Sequence, residues 1–163
     1  MITKTNQSIW LAEPGDGFSI AFAGASIQEF SMNVTPKSVP LSYDYCCQLV
    51  YRHGELVSVV DLSTGNPQTI QRFYSVLFLH AGKSSERNPP EHSIIGLHLV
   101  EPPRKVILND KNFSHFDLEQ CGHWKNAALS GYFHEGKHIP LIDPKLMRSD
   151  FFIDELKQTA MIA

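Results

Sequence analysis

One eleven-residue phrase occurs twice in this chain: Tyr51-Arg52-His53-Gly54-Glu55-Leu56-Val57-Ser58-Val59-Val60-Asp61, and 82 residues later Phe133-His134-Glu135-Gly136-Lys137-His138-Ile139-Pro140-Leu141-Ile142-Asp143. Each copy reads as an aromatic, a tight turn, a strand and a terminal aspartate. His53-Gly54 and Glu135-Gly136 each place glycine where a two-residue hairpin loop needs positive φ. A period that fills half of 163 residues predicts two similar β subdomains, since a solenoid would need about three repeats.

The bulk properties fit that size. A hydrophobic fraction of 42% supplies enough apolar material for one ordinary domain or for two small halves sharing an interface. Fourteen basic and 17 acidic residues are dispersed along the chain and leave a net charge of -3, so there is no cationic footprint for a phosphate backbone. The first residues are polar and lack the basic-then-apolar order of a secretory signal, and no apolar stretch reaches the length of a membrane span. Three cysteines, with Cys46 and Cys47 adjacent, do not make an intrachain disulfide framework. A reducing cytoplasm is expected, with Cys46 and Cys47 as small buried hydrophobes.

Alternation outweighs helical spacing along the chain. Strands are expected at Phe18–Phe22, Leu49–Arg52, Leu56–Asp61, Phe73–His80, Ile94–Val100 and Arg104–Leu108. Phe73–His80 is nearly continuous in strand formers and should be central, either buried on both faces or lining a barrel. Ala25–Phe30 fits one helical turn or a further strand. Pro36 and Pro40 flank a connection, 81–93 reads as an exposed loop, and Pro102-Pro103 must break or bend pairing between strands that otherwise continue one sheet. Asn109–Trp124 reads as loop and short turns. Asp143 and Pro144 suit the start of a short helix over Lys145–Met147. Asp150 suits the N-cap of a terminal helix running to Gln158, with Phe152, Leu156 and Ala160 on one face. Many short strands with little helix point to small barrels or sandwiches.

The stretch from Glu29 to Leu62 resembles the first half of a CheW-like domain, the adaptor fold of bacterial chemosensory arrays. The words carrying the resemblance are Glu29-Phe30, Thr35-Pro36, Val39-Pro40, Tyr51-Arg52-His53-Gly54 and Ser58-Val59-Val60-Asp61-Leu62, in that order. Ile95–Val100, Leu129–Phe133, the Glu135-Gly136 turn and Ile139–Pro144 resemble the second half. The resemblance covers residues 15–147, leaving 148–163 as a C-terminal helix. It implies a mainly β fold of two five-stranded, SH3-like barrels joined by an apolar interface, with a boundary near 81–93.

As to function, the resemblance implies a non-enzymatic scaffold that couples the cytoplasmic tip of a methyl-accepting chemoreceptor to the regulatory domain of a CheA-like histidine kinase. Chemotaxis or type IV pilus motility would be the pathway served, and no cofactor is implied. Glu29, Arg52, His53 and Gly54 are the partner-binding residues at matched positions. The family's arginine position holds His53 here, with Arg52 one place earlier, and strand side chains alternate faces, so this displacement bears on where the cation points.

Neither enzyme nor metal chemistry has a strong signature. There is no Gly-x-Ser-x-Gly elbow, phosphate-cradling glycine loop or His-Glu-x-x-His. Cys121-x-His123 with His134-x-x-x-His138 supplies four potential zinc ligands, but eight histidines make such groupings by chance, and 134 and 138 straddle the turn unequally. A zinc-stabilised or small-ligand-binding regulatory β domain is the alternative of a different class.

Overall fold

A computed structural model describes residues 7–41, 48–63, 74–82 and 94–162. These form eleven strands: β1 (Gln7–Ala12), β2 (Ile20–Ala23), β3 (Ile27–Val34), β4 (Lys37–Ser38), β5 (Gln48–Arg52), β6 (Glu55–Val60), β7 (Tyr74–His80), β8 (Ile94–Leu99), β9 (Arg104–Leu108), β10 (Ala128–His134) and β11 (Lys137–Ile142). Helix α1 (Asp150–Ile162) closes the described chain, and 3-10 helices occupy Gly24–Ser26, Asp110–Phe113, Leu118–Ala127 and Leu146–Arg148. Ala25–Phe30 is thus both of its alternatives in succession, a short helical turn and then a strand.

The strands make two sheets, ordered β10-β11-β2-β1-β9 and β3-β7-β8-β6-β5-β4. The fold is mainly β with two small barrels, one of five strands and one of six; the sixth is the two-residue β4, which pairs with β5 through Lys37↔Leu49 and Ser38↔Gln48. Strand alternation divides the apolar side chains among the described residues into three cores. Ile9, Leu11, Ala21, Leu108, Tyr132 and Ile139 fill the five-stranded barrel. Val50, Val57, Val59, Val76 and Phe78 fill the six-stranded one. The third and most extensive core lies along the seam, where Phe22, Val60, Leu77, Leu97, Ile142 and Phe152 meet.

The duplicated phrase takes equivalent roles in the two barrels. Val57 and Ile139, at matched positions, point into their barrels, while Val60 and Ile142 point into the seam. β6 runs parallel to β8 (Val59↔Gly96), and β11 runs parallel to β2 (Leu141↔Ala21). Asp61 and Asp143 accept from the amides of Ser63 and Lys145, each at 3.0 Å, so both aspartates cap the turn after their strand.

Three expectations require correction. The stretch 81–93 does not divide the barrels, because β7 and β8 on either side of it pair antiparallel within one sheet, from Ser75↔Leu99 to His80↔Ile94. The crossings between sheets fall instead at the Gly24–Ser26 turn and between β8 and β9, where Pro102-Pro103 ends pairing. Consequently β9 does not continue the sheet of β8; it pairs with β1 in the other barrel, Trp10↔Lys105. Finally, Ser149 and not Asp150 caps α1: its hydroxyl accepts from the Phe152 amide at 3.3 Å, and the helix runs on past Gln158.

The central strand is as expected over its described part. Val76, Leu77, Phe78 and Leu79 are all buried, so β7 is covered on both faces. Gly96 is a close-packing point, since pairing continues unbroken through Phe78↔Gly96 and a Cβ there would lie 2.9 Å from Val59 Cγ2. Cys46, Cys47, Phe73 and the stretch 83–93 lie outside the described residues.

Candidate partner-binding site

The β5–β6 hairpin turns through His53 (φ 48) and Gly54 (φ 85), both in the left-handed region that a tight two-residue loop demands. Arg52 closes the ladder opposite Glu55. Glu29 stands on β3, separated from β5 by β7, β8 and β6 in the hydrogen-bonded order. Its carboxylate nevertheless accepts from Arg52 Nε, and His53 Nε2 lies 3.3 Å from the same oxygen. The sheet therefore rolls until its first and fifth strands meet, and this ion pair bridges the gap. The Arg52 guanidinium also rests 5.5 Å above the centre of the Phe78 ring.

The structure thus gathers Glu29, Arg52, His53 and Gly54 at one corner of the six-stranded barrel. The one-place displacement does not send the cation away, because Arg52 and His53 both address Glu29. Tyr51 and Leu56 face each other across the hairpin, 68% and 51% exposed, and give this corner an apolar surface. A groove of about 360 Å³ lies alongside, between the end of β3 and β5, with Ser31, Thr35, Lys37 and Tyr51 in its walls.

Hydrogen bonding from Arg52, ahead of its charge and the contact with His53, holds the Glu29 carboxyl below the usual carboxylate range, against an opposing effect of desolvation. A depressed acid stabilises the fold above its unfolded-state pKa, and that contribution disappears as pH falls through the folded value. The pair is partly solvated, so its worth is about 1 kcal/mol or less. We expect Glu29→Gln to melt slightly below the parent at pH 7, and the gap in melting temperature to close on acidification below the carboxylate range. Thermal scans of both proteins across that range check it, and a gap that persists in acid would contradict it.

A second groove, of about 340 Å³, opens on the seam between Ala25 and Ser26 on one side and His80, Leu129, Leu141 and Lys145 on the other. Leu129 stands 66% exposed at the irregularity where β10 pairing slips between Ala128 and Ser130. Sequence reasoning does not group these residues as a site, because they come from four separate stretches of the chain. Periodicity marks Leu129 as apolar but says nothing of the bulge that turns it outward.

The four candidate metal ligands are put to other uses. Cys121 is buried with its sulfur 3.8 Å from the Asp117 carbonyl, and burial together with the nearby Asp117 charge pushes its thiol up to about 11. His138 Nδ1 accepts from the Asp117 amide at 3.0 Å. His134 lies 3.7 Å from the Glu135 carboxylate. His123 Nε2 is 2.8 Å from Asp16 Oδ2 but lacks hydrogen-bond alignment with it. Among the described residues no three His, Cys, Asp or Glu side chains are placed to hold a metal ion.

His123 instead belongs to a polar knot that the sequence did not reveal. The Asp16 carboxylate accepts from the Trp124 indole at 2.7 Å and from the Phe18 amide at 3.1 Å. Rings of Phe18, His123, Trp124 and Phe152 pack around it and seat α1 against the 3-10 helix Leu118–Ala127. No described helix is long and apolar enough to cross a membrane.

The architecture is similar to that of the scaffolding protein TtCheW from Thermoanaerobacter tengcongensis, with a TM-score of 0.62 over 92% of this chain and 93% of that one. Sequence identity between them is 9%, so what they share is the fold. No protein-family model matches the sequence, and no curated protein matches it.

Proposed function

We propose that this chain is a non-enzymatic scaffold of a chemosensory pathway, coupling chemoreceptors to a CheA-like histidine kinase by binding alone. The observation that carries the reading is the pair of β-sheets packed over an apolar seam, an architecture similar to that of a scaffolding protein over nearly the whole chain. In this reading the corner built by Glu29, Arg52, His53 and Gly54 docks on the kinase's regulatory domain. Tyr51 and Leu56 supply apolar anchor area there, and the charged side chains supply the polar rim. The seam groove takes an apolar stripe of a receptor's helical tip, for which Leu129 and Leu141 give the contact surface.

Binding between purified proteins tests this directly. The chain, its own organism's CheA-like kinase regulatory domain and a receptor cytoplasmic fragment should form pairwise complexes by calorimetry or size-exclusion chromatography. A Leu129→Glu variant should lose the receptor fragment and keep the kinase. Failure of the parent protein to bind either one would remove the chemosensory role.

A further inference from the structure

The two copies of the duplicated unit do not each build a barrel. In chain order, β1, β2, β3, β5 and β6 of the first half correspond to β7, β8, β9, β10 and β11 of the second, because the sheet orders β10-β11-β2-β1-β9 and β5-β6-β8-β7-β3 match strand for strand. The pairing senses match as well. β11 with β2 and β6 with β8 are parallel, and the neighbouring pairs are antiparallel. Each barrel therefore takes two strands from one half and at least three from the other.

The contacts β1 with β9, β2 with β11, β3 with β7 and β6 with β8 all run between halves, and the seam core draws on both. Neither half can close a sheet or bury its share of the seam without the other. Each half is thus a ready-made partner for the complementary half of any copy. The covalent link between them passes through residues 64–73, and ten residues can reach about 35 Å when extended.

We infer that two copies of this chain can exchange halves, forming a dimer in which β1–β6 of one chain complete both barrels with β7–β11 of the other. Every native pairing is retained in such a dimer; only the chain that supplies it changes, which is the condition under which exchange is cheap. The dimer carries two seam grooves, each walled by two chains, since Ala25 and Ser26 come from the first half and Leu129 and Lys145 from the second. A scaffold of this kind holds two partners at once. The inference stands on topology and is independent of the chemosensory reading.

Ser8 and Ile107 provide the test. They are direct partners across β1 and β9, both are exposed, and they belong to different halves. Antiparallel partners lie about 4.5–5.5 Å apart at Cα, within disulfide reach. The full chain with Ser8→Cys and Ile107→Cys, in a Cys46→Ser, Cys47→Ser background, is unfolded in denaturant, refolded at high concentration, separated by size and oxidised. The monomer fraction should run as a single chain on a non-reducing denaturing gel, and the dimer fraction should run as a covalent dimer. A dimer fraction that dissociates to single cross-linked chains, or refolding that yields monomer alone at every concentration, would overturn the exchange. A monomer fraction that does not cross-link would overturn the β1–β9 pairing beneath it.

Discussion

Replacing Trp124 with alanine is expected to lower the melting temperature by about 10 °C or more. Trp124 is fully buried in the seam core, its ring centre 5.3 Å from that of Phe152, and its indole donates to Asp16 Oδ2 at 2.7 Å. Truncating a buried aromatic of this size costs about 3–5 kcal/mol. Removing the donor also withdraws a partner from a carboxylate that is itself nearly buried, which costs a further 1–3 kcal/mol or so. Against a total stability on the order of 5–15 kcal/mol, that is a large share. For a chain of this size each kcal/mol moves the midpoint by about 2–4 °C.

A phenylalanine at the same position separates the two contributions. Trp124→Phe keeps most of the packing and loses the donor, so it should fall by roughly a third of the alanine effect in thermal scans. Because Phe152 leans on the same ring, the alanine variant should also speed hydrogen exchange along α1 before the rest of the chain unfolds. Uniform exchange, with α1 no faster than β7, would show that the seam and the helix do not depend on Trp124 in this order.

The aromatic knot illustrates where sequence reasoning stops. Alternation and turn chemistry made the two hairpins legible, because a positive-φ glycine and a strand period are local properties of the chain. The resemblance added the pairing of two barrels. Which barrel a strand joins is not local. Ile9 enters a barrel interior while Ala12 of the same strand enters the seam, and nothing in their spelling distinguishes the two destinations. The exchange of strands between halves displaced the expected boundary for that reason, although Pro102-Pro103 did mark the place where the chain leaves one sheet. Strand β1 itself, inside a stretch read for its polar start, drew no expectation. Asp16 looks like an ordinary turn residue until its distant partners Trp124 and His123 are in place, so on sequence alone His123 stands among the candidate zinc ligands. The cap at Ser149 lies one residue before the expected Asp150, since serine and aspartate both suit that position and only the path of the chain decides between them.

The corner at Glu29 and Arg52 raises a question that single charge reversals leave open, because the pair also bridges the gap between β3 and β5. Glu29→Arg puts two cations together, and Arg52→Glu puts two carboxylates together; under the proposed role each should weaken kinase binding about tenfold or more, the scale of a central charged contact. Each also removes the closing pair, worth about 1 kcal/mol at this exposure, so lost binding alone does not identify a contact. The double variant, with the charges exchanged, restores the attraction across the gap while presenting the opposite charge pattern to a partner. Under the proposed role its melting temperature returns to within a degree or two of the parent, and its affinity for the kinase regulatory domain stays at least about tenfold down. Phe78 is unchanged in all three variants, but the cation over its ring is lost wherever Arg52 is replaced, which accounts for the degree or two that the double variant does not regain. Recovery of full affinity by the double variant would assign Glu29 and Arg52 to closing the barrel and leave docking to His53, Tyr51 and Leu56.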